Sequence, residues 1–92
     1  MRMAEKIAGK LTRALSPQRL RVDDDSARHR GNAGAKPGGE THFKVEIVAE
    51  KFAGLSRVAR QRLVYGALEE EFAAGVHALE LKTLTPEEDG KG

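Results

Sequence analysis

The chain has 92 residues, a formal net charge of +2 and no cysteine; hydrophobic residues make up 39% of it and aromatics only 4%. That length suffices for one domain and not for two, so residues 1–92 are expected to form a single unit. A chain without cysteine makes no disulfide, performs no thiol catalysis and holds no thiolate cluster by itself. With 16 basic and 14 acidic residues, the small positive excess permits nucleic-acid binding without demanding it.

No apolar run approaches the roughly 20 residues of a membrane span. Met1 to Lys6 lack the apolar segment of a secretory signal, so a cytoplasmic location is expected. The core must rely on Leu, Val, Ile and Ala, with Phe43, Phe52 and Phe72 as the large fillers. Such a core leaves little room for a deep enclosed pocket.

Met3, Ile7, Leu11 and Leu15 recur every four residues and predict an amphipathic first helix. Ser16-Pro17 ends it, because the residue before proline avoids the α region. In Arg19–Asp23, Leu20 and Val22 alternate with charged residues, which predicts a short strand. A polar stretch follows, punctuated by Gly31, Asn32, Gly34, Pro37, Gly38 and Gly39; residues 25–40 are expected to form a flexible loop.

The second strand is predicted over His42–Val48, with Phe43, Val45 and Ile47 on one face, and would pair with the first as a hairpin. From Leu55 to Phe72 the period becomes helical, with Leu63, Val64, Ala67 and Leu68 inward; Arg60 and Glu71 fall in the same arc at the end turns, where they can reach water. Gly75 suits a C-terminal cap. Val76–Thr83 predicts a third strand, with His77, Leu79 and Leu81 on one face. Thr85-Pro86-Glu87-Glu88 could open a final helical turn, and residues 89–92 should fray. An α+β fold follows: a three-stranded sheet covered on one face by both helices, in the order αββαβ.

Little in this pattern carries chemistry. His29, His42 and His77 show neither an HExxH nor a pair at i, i+4, and each reads first as structural or solvated. His77, on the face of Leu79 and Leu81, is either a satisfied core-edge group or a ligand offered at a rim. Asp23-Asp24-Asp25 lacks the offsets of a calcium loop and reads as a charged strand end; Glu69-Glu70-Glu71 reads as a solvated helix end. Arg57, Arg60 and Arg62 at a helix start could meet phosphate, although an ordinary wet helix face has the same pattern. Ser16, Ser26 and Ser56 have no evident base partner, so no nucleophile–base pair can be assembled and no enzyme is expected.

Taken in order, Thr41-His42-Phe43-Lys44-Val45, Ile47-Val48, Phe52-Ala53-Gly54, Val58-Ala59-Arg60-Gln61-Arg62-Leu63-Val64-Tyr65 and Val76-His77-Ala78-Leu79 resemble the BolA family. Asp24-Asp25-Ser26 and Thr85-Pro86-Glu87-Glu88 extend the likeness over nearly the whole chain. The resemblance implies an αββαβ domain related to the type II KH fold, with a strand order the sequence does not give. It also implies a [2Fe-2S] cluster shared with a monothiol glutaredoxin and glutathione, and no cofactor when the protein is alone. His77 matches the family's C-terminal ligand, His29 a loop histidine that is the candidate second contact, and His42 a position better read as structural.

Gln61 stands where the family often has histidine, Ala27 and Asn32 stand where close relatives carry loop histidines, and Gly54-Leu55-Ser56-Arg57 lacks the second glycine of a GxxG nucleic-acid loop. The expected function is therefore that of an iron–sulfur adaptor, with the protein free as a monomer or weak homodimer. A DNA-binding regulator acting through Arg57, Arg60 and Arg62 is the alternative.

Overall fold

A computed structural model describes residues 1–26 and 40–90. Helix α1, Met3–Leu15, buries the predicted stripe of Met3, Ile7, Leu11 and Leu15. It ends at Ser16, whose N–H still bonds the Thr12 carbonyl while its left-handed backbone (φ 45°) turns the chain out of the helix before Pro17. Strand β1, Arg19–Asp24, pairs antiparallel with β2, His42–Val48, giving the expected hairpin with Val22 opposite Val45.

A single 3-10 turn, Glu50–Phe52, leads to α2, Arg57–Ala67. Ser56 caps α2, its hydroxyl accepting from the Ala59 N–H at 3.1 Å. Helix α3, Glu69–Ala73, then leads to β3, Ala78–Leu84, and α4, Pro86–Gly90, closes the described chain. Strand β3 pairs parallel with β2, Phe43 opposite Leu79 and Val45 opposite Leu81, so the sheet order is β1-β2-β3. Parallel neighbours require a long crossover, and α2 with α3 supplies it.

On the covered face of the sheet, Phe43, Val45 and Ile47 meet Ile7 and Leu11 of α1 and Val64 and Leu68 from the crossover. The opposite face is charged. The strand register sets Arg21, Glu46 and Lys82 in one cross-strand row and Asp23, Lys44 and Glu80 in the next, of opposite sign. A face of alternating charge resists stacking on a second sheet.

The α+β class and single-faced sheet agree with the sequence, and four details differ. The long helix is broken at Leu68, whose backbone (φ −112°, ψ 18°) leaves the helical region and separates α2 from α3. Leu63 is 41% exposed, not inward: at 100° per residue it lies a quarter-turn or more from Val64, beyond the narrow buried arc. Glu71 is not solvated but 5% exposed: seven residues after Val64 it keeps to the inward side, where its Oε2 lies 3.7 Å from the Lys10 Nζ of α1, while its Oε1 has no hydrogen-bond partner among the described residues. Asp89, expected to fray, lies inside α4, its N–H bonded to the Thr85 carbonyl at 3.0 Å and its carboxylate 2.6 Å from Arg19.

Candidate functional site

The parallel register of β2 and β3 brings two histidines together. His42 opens β2 opposite Ala78, so His77, one residue before β3, lands beside it. The ring centroids are 5.3 Å apart and the planes tilt by 52°. The two rings differ in exposure: His42 is buried (6% exposed), whereas His77 faces solvent.

Backbone bonds fix His77 in place. Its N–H donates to the Thr41 carbonyl at 2.7 Å, and the Ala78 N–H donates to the same oxygen at 3.1 Å. Thr41 is itself held from both sides. Its Oγ1 lies 2.9 Å from the His42 Nδ1, and its N–H donates to the Ser26 Oγ at 2.9 Å. The same Ser26 oxygen accepts from the His42 N–H at 3.1 Å. One buried hydroxyl therefore satisfies two backbone donors that would otherwise go unpaired.

Below this node, the Asp24 carboxylate joins the ends of the chain that flank residues 27–39. The Asp24 Oδ1 accepts from the Ser26 N–H at 2.9 Å and its Oδ2 from the Glu40 N–H at 3.2 Å. Although burial opposes ionisation of Asp24 most strongly, these hydrogen bonds together with Arg2 outweigh it and hold the carboxyl below its usual range. Glu40, in the left-handed region (φ 65°), accepts from the Met3 N–H at 2.9 Å and so fastens the start of α1 to the same corner. Asp25 continues the β1–β2 ladder, its N–H donating to the His42 carbonyl at 2.7 Å. The stretch expected as the 25–40 loop is thus anchored at Asp25, Ser26 and Glu40. His29, the expected loop contact, lies outside the described residues.

The arginines of the alternative reading do not act as one surface. Arg57 and Arg62 are exposed. Arg60, expected to reach water, has a side chain only 12% exposed. Its guanidinium donates to Glu88 at 2.6 and 3.3 Å, to the Leu55 carbonyl at 3.1 Å and to the Thr83 carbonyl at 3.2 Å. It also lies over the Phe52 ring, 5.9 Å from the centroid. The Arg60 guanidinium, helped by the Thr85 N–H, holds the Glu88 carboxyl down at about 2. Thr85 and Glu88 cap α4 reciprocally: the Thr85 N–H donates to Glu88 at 2.8 Å and the Glu88 N–H to the Thr85 Oγ1 at 3.1 Å.

Among the described residues, no group of three or more His, Asp or Glu side chains converges on a metal position, and the chain has no cysteine. A single exposed imidazole on a fixed backbone suits the role of one ligand added to a set supplied by another molecule. The sequence singled out His77 but not the residues around it: Ser26, Thr41, Glu40 and the neighbouring ring of His42. The missed signal was that His42 and His77 each stand at the start of a predicted strand, which puts them side by side only if those strands are parallel and in register.

A family profile described as BolA-like protein matches residues 11–88. The UV-induced protein uvi31 of Schizosaccharomyces pombe is 42% identical over 88 residues, which cover 91% of this chain and 86% of that protein. The chloroplastic protein BOLA1 of Arabidopsis thaliana is 44% identical over 87 residues, 92% of this chain and 54% of that protein, so the chain spans about half its length. The solved BolA domain of SufE1 from Arabidopsis thaliana has a TM-score of 0.83 at 42% identity, covering 92% of this chain and 93% of that one.

Proposed function

The chain belongs to the BolA family, and on that premise we propose that it is a non-catalytic adaptor that docks on a monothiol glutaredoxin in the cytoplasm and completes the ligand set of a shared [2Fe-2S] cluster with the imidazole of His77. The observation that carries this reading is the corner itself: a solvent-facing histidine, on a backbone pinned by the Thr41 carbonyl, in a chain with no thiol of its own. Imidazole in place of a thiolate lowers the ligand charge and raises the reduction potential of such a cluster. Glutathione and the glutaredoxin cysteine would supply the remaining ligands, and His29 is the further contact this reading assigns. On its own the protein would carry no cofactor.

Reconstitution with a monothiol glutaredoxin, glutathione, iron and sulfide tests the assignment. Adding this protein is expected to change the visible absorption and circular dichroism of the glutaredoxin cluster, and His77→Ala is expected to abolish that change while the far-ultraviolet spectrum stays native. A visible spectrum identical in the wild type and His77→Ala would remove His77 from the ligand set.

The DNA-binding alternative rests on Arg57 and Arg62, which remain exposed once Arg60 is committed to Glu88. It requires salt-sensitive duplex binding that weakens in the Arg57→Ala, Arg62→Ala double variant. Duplex binding that is indifferent to this double change would eliminate it.

Among the described residues, no helix is long and apolar enough to cross a membrane.

A further inference from the structure

We infer that His42 is a positioning residue for His77, its buried ring backing the exposed imidazole so that His77 is presented in one orientation. His42 lies on the charged face of the sheet, two residues before Lys44 and four before Glu46, yet it is only 6% exposed. Burying a polar ring on a solvated face requires a compensating contact. Among the described residues, the Thr41 Oγ1 lies 2.9 Å from its Nδ1, and the His77 ring lies 5.3 Å away with a 52° tilt, within the range in which aromatic rings attract one another. The hydrogen bond offsets the burial of the polar His42 ring, and the ring's contact is what confines His77.

The consequence is conformational. The Thr41 carbonyl fixes the backbone of His77 but leaves its side chain three staggered positions. A buried ring against one side of the imidazole disfavours some of them. A ligand already held in the binding rotamer does not have to be ordered when the partner arrives. If His42 served only to hold Thr41, an amide at position 42 that kept that hydrogen bond would leave His77 unchanged.

The role of His77 as a ligand rests on the function proposed above; the orientation of its ring does not, so the two can fail separately. The first measurement uses metal-free protein: three-bond NMR couplings that report the His77 χ1 populations in wild type, His42→Phe and His42→Asn, with the amide spectrum of β2 and β3 confirming the fold. His42→Phe retains a ring and is expected to keep His77 in one dominant rotamer. His42→Asn retains an amide able to reach Thr41 and is expected to release His77 into a mixture.

The second measurement is the dissociation of the cluster complex with monothiol glutaredoxin, followed by visible circular dichroism. His42→Asn is expected to weaken it about threefold, the statistical weight of one staggered position among three, and His42→Phe to leave it unchanged. A single dominant rotamer in His42→Asn, or equal averaging in both variants, would overturn the inference. Should His77→Ala leave the cluster spectrum untouched, the cluster reading would fall while the rotamer comparison still decided what His42 does.

Discussion

The two ends of β3 are closed in opposite ways. At its C-terminal end, Arg60 crosses from α2 to Glu88 and caps the Leu55 and Thr83 carbonyls. Charged side chains hold that end, and they are consumed in doing so. At its N-terminal end, the fastening is done by the Thr41 carbonyl and the Ser26 hydroxyl, and the imidazole of His77 is left facing solvent. A side chain that stabilises the fold through several hydrogen bonds has little left to offer a partner. A side chain on a backbone held by others is available.

Substitutions at the two ends should therefore separate stability from binding. The largest effect on stability is expected from Arg60→Ala, which leaves two carbonyls without a donor, uncovers Phe52 and strands Glu88. A loss of about 2–3 kcal/mol is expected, read as a clear fall in the thermal midpoint, while the cluster spectrum with glutaredoxin at low temperature stays that of wild type. A wild-type midpoint in this variant would show that the clamp does not hold the strand.

Ser26→Ala is expected to cost about 1–3 kcal/mol, because the Thr41 and His42 N–H groups lose their buried acceptor. Unlike Arg60→Ala, it should also weaken the cluster complex, since Thr41 carries the backbone of His77. Chemical denaturation and visible circular dichroism on the same variant read both effects.

Acid should weaken the Arg60 end. The Glu88 carboxyl titrates at about 2 in the folded protein against an ordinary 4.5. Its contribution is therefore present above about 4.5 and lost as the pH falls through about 2. Thermal midpoints measured from pH 6 down to pH 2 should fall more steeply in wild type than in Glu88→Gln, and parallel curves would show that the ion pair contributes no acid sensitivity. The smallest stability effect is expected from His77→Ala, about 0.5–1 kcal/mol for the lost ring contact with His42, although it should abolish the change in the glutaredoxin cluster spectrum that the proposed function expects.

How much of this was legible varies from residue to residue. The alternation of Phe43, Val45 and Ile47 predicted both the strand and its buried face, and the four-residue spacing from Met3 to Leu15 predicted α1 and its stripe. Leu63 misled because it borders an apolar arc whose true width is set by how closely α2 approaches the sheet. Arg60 and Glu71 misled because both sit inside a helical arc at end turns where water was expected. Instead Glu88 reaches Arg60 from α4, and α1 covers Glu71 with Lys10 beside its carboxylate.

By itself the sequence determined the order of the elements, the apolar side of each, the absence of any thiol and, through the order and spacing of its motifs, the family. It also singled out His77. Only the tertiary structure decided that β2 and β3 run parallel and in register, and so set His42 against His77. It alone showed that Arg60 is spent on an internal clamp and that Ser26, two residues beyond β1, fastens the start of β2. The physical reason is that periodicity records which side of an element avoids water. Pairing, capping and ion-pair formation depend on which elements meet, and residues far apart in the chain are brought together only by the complete fold.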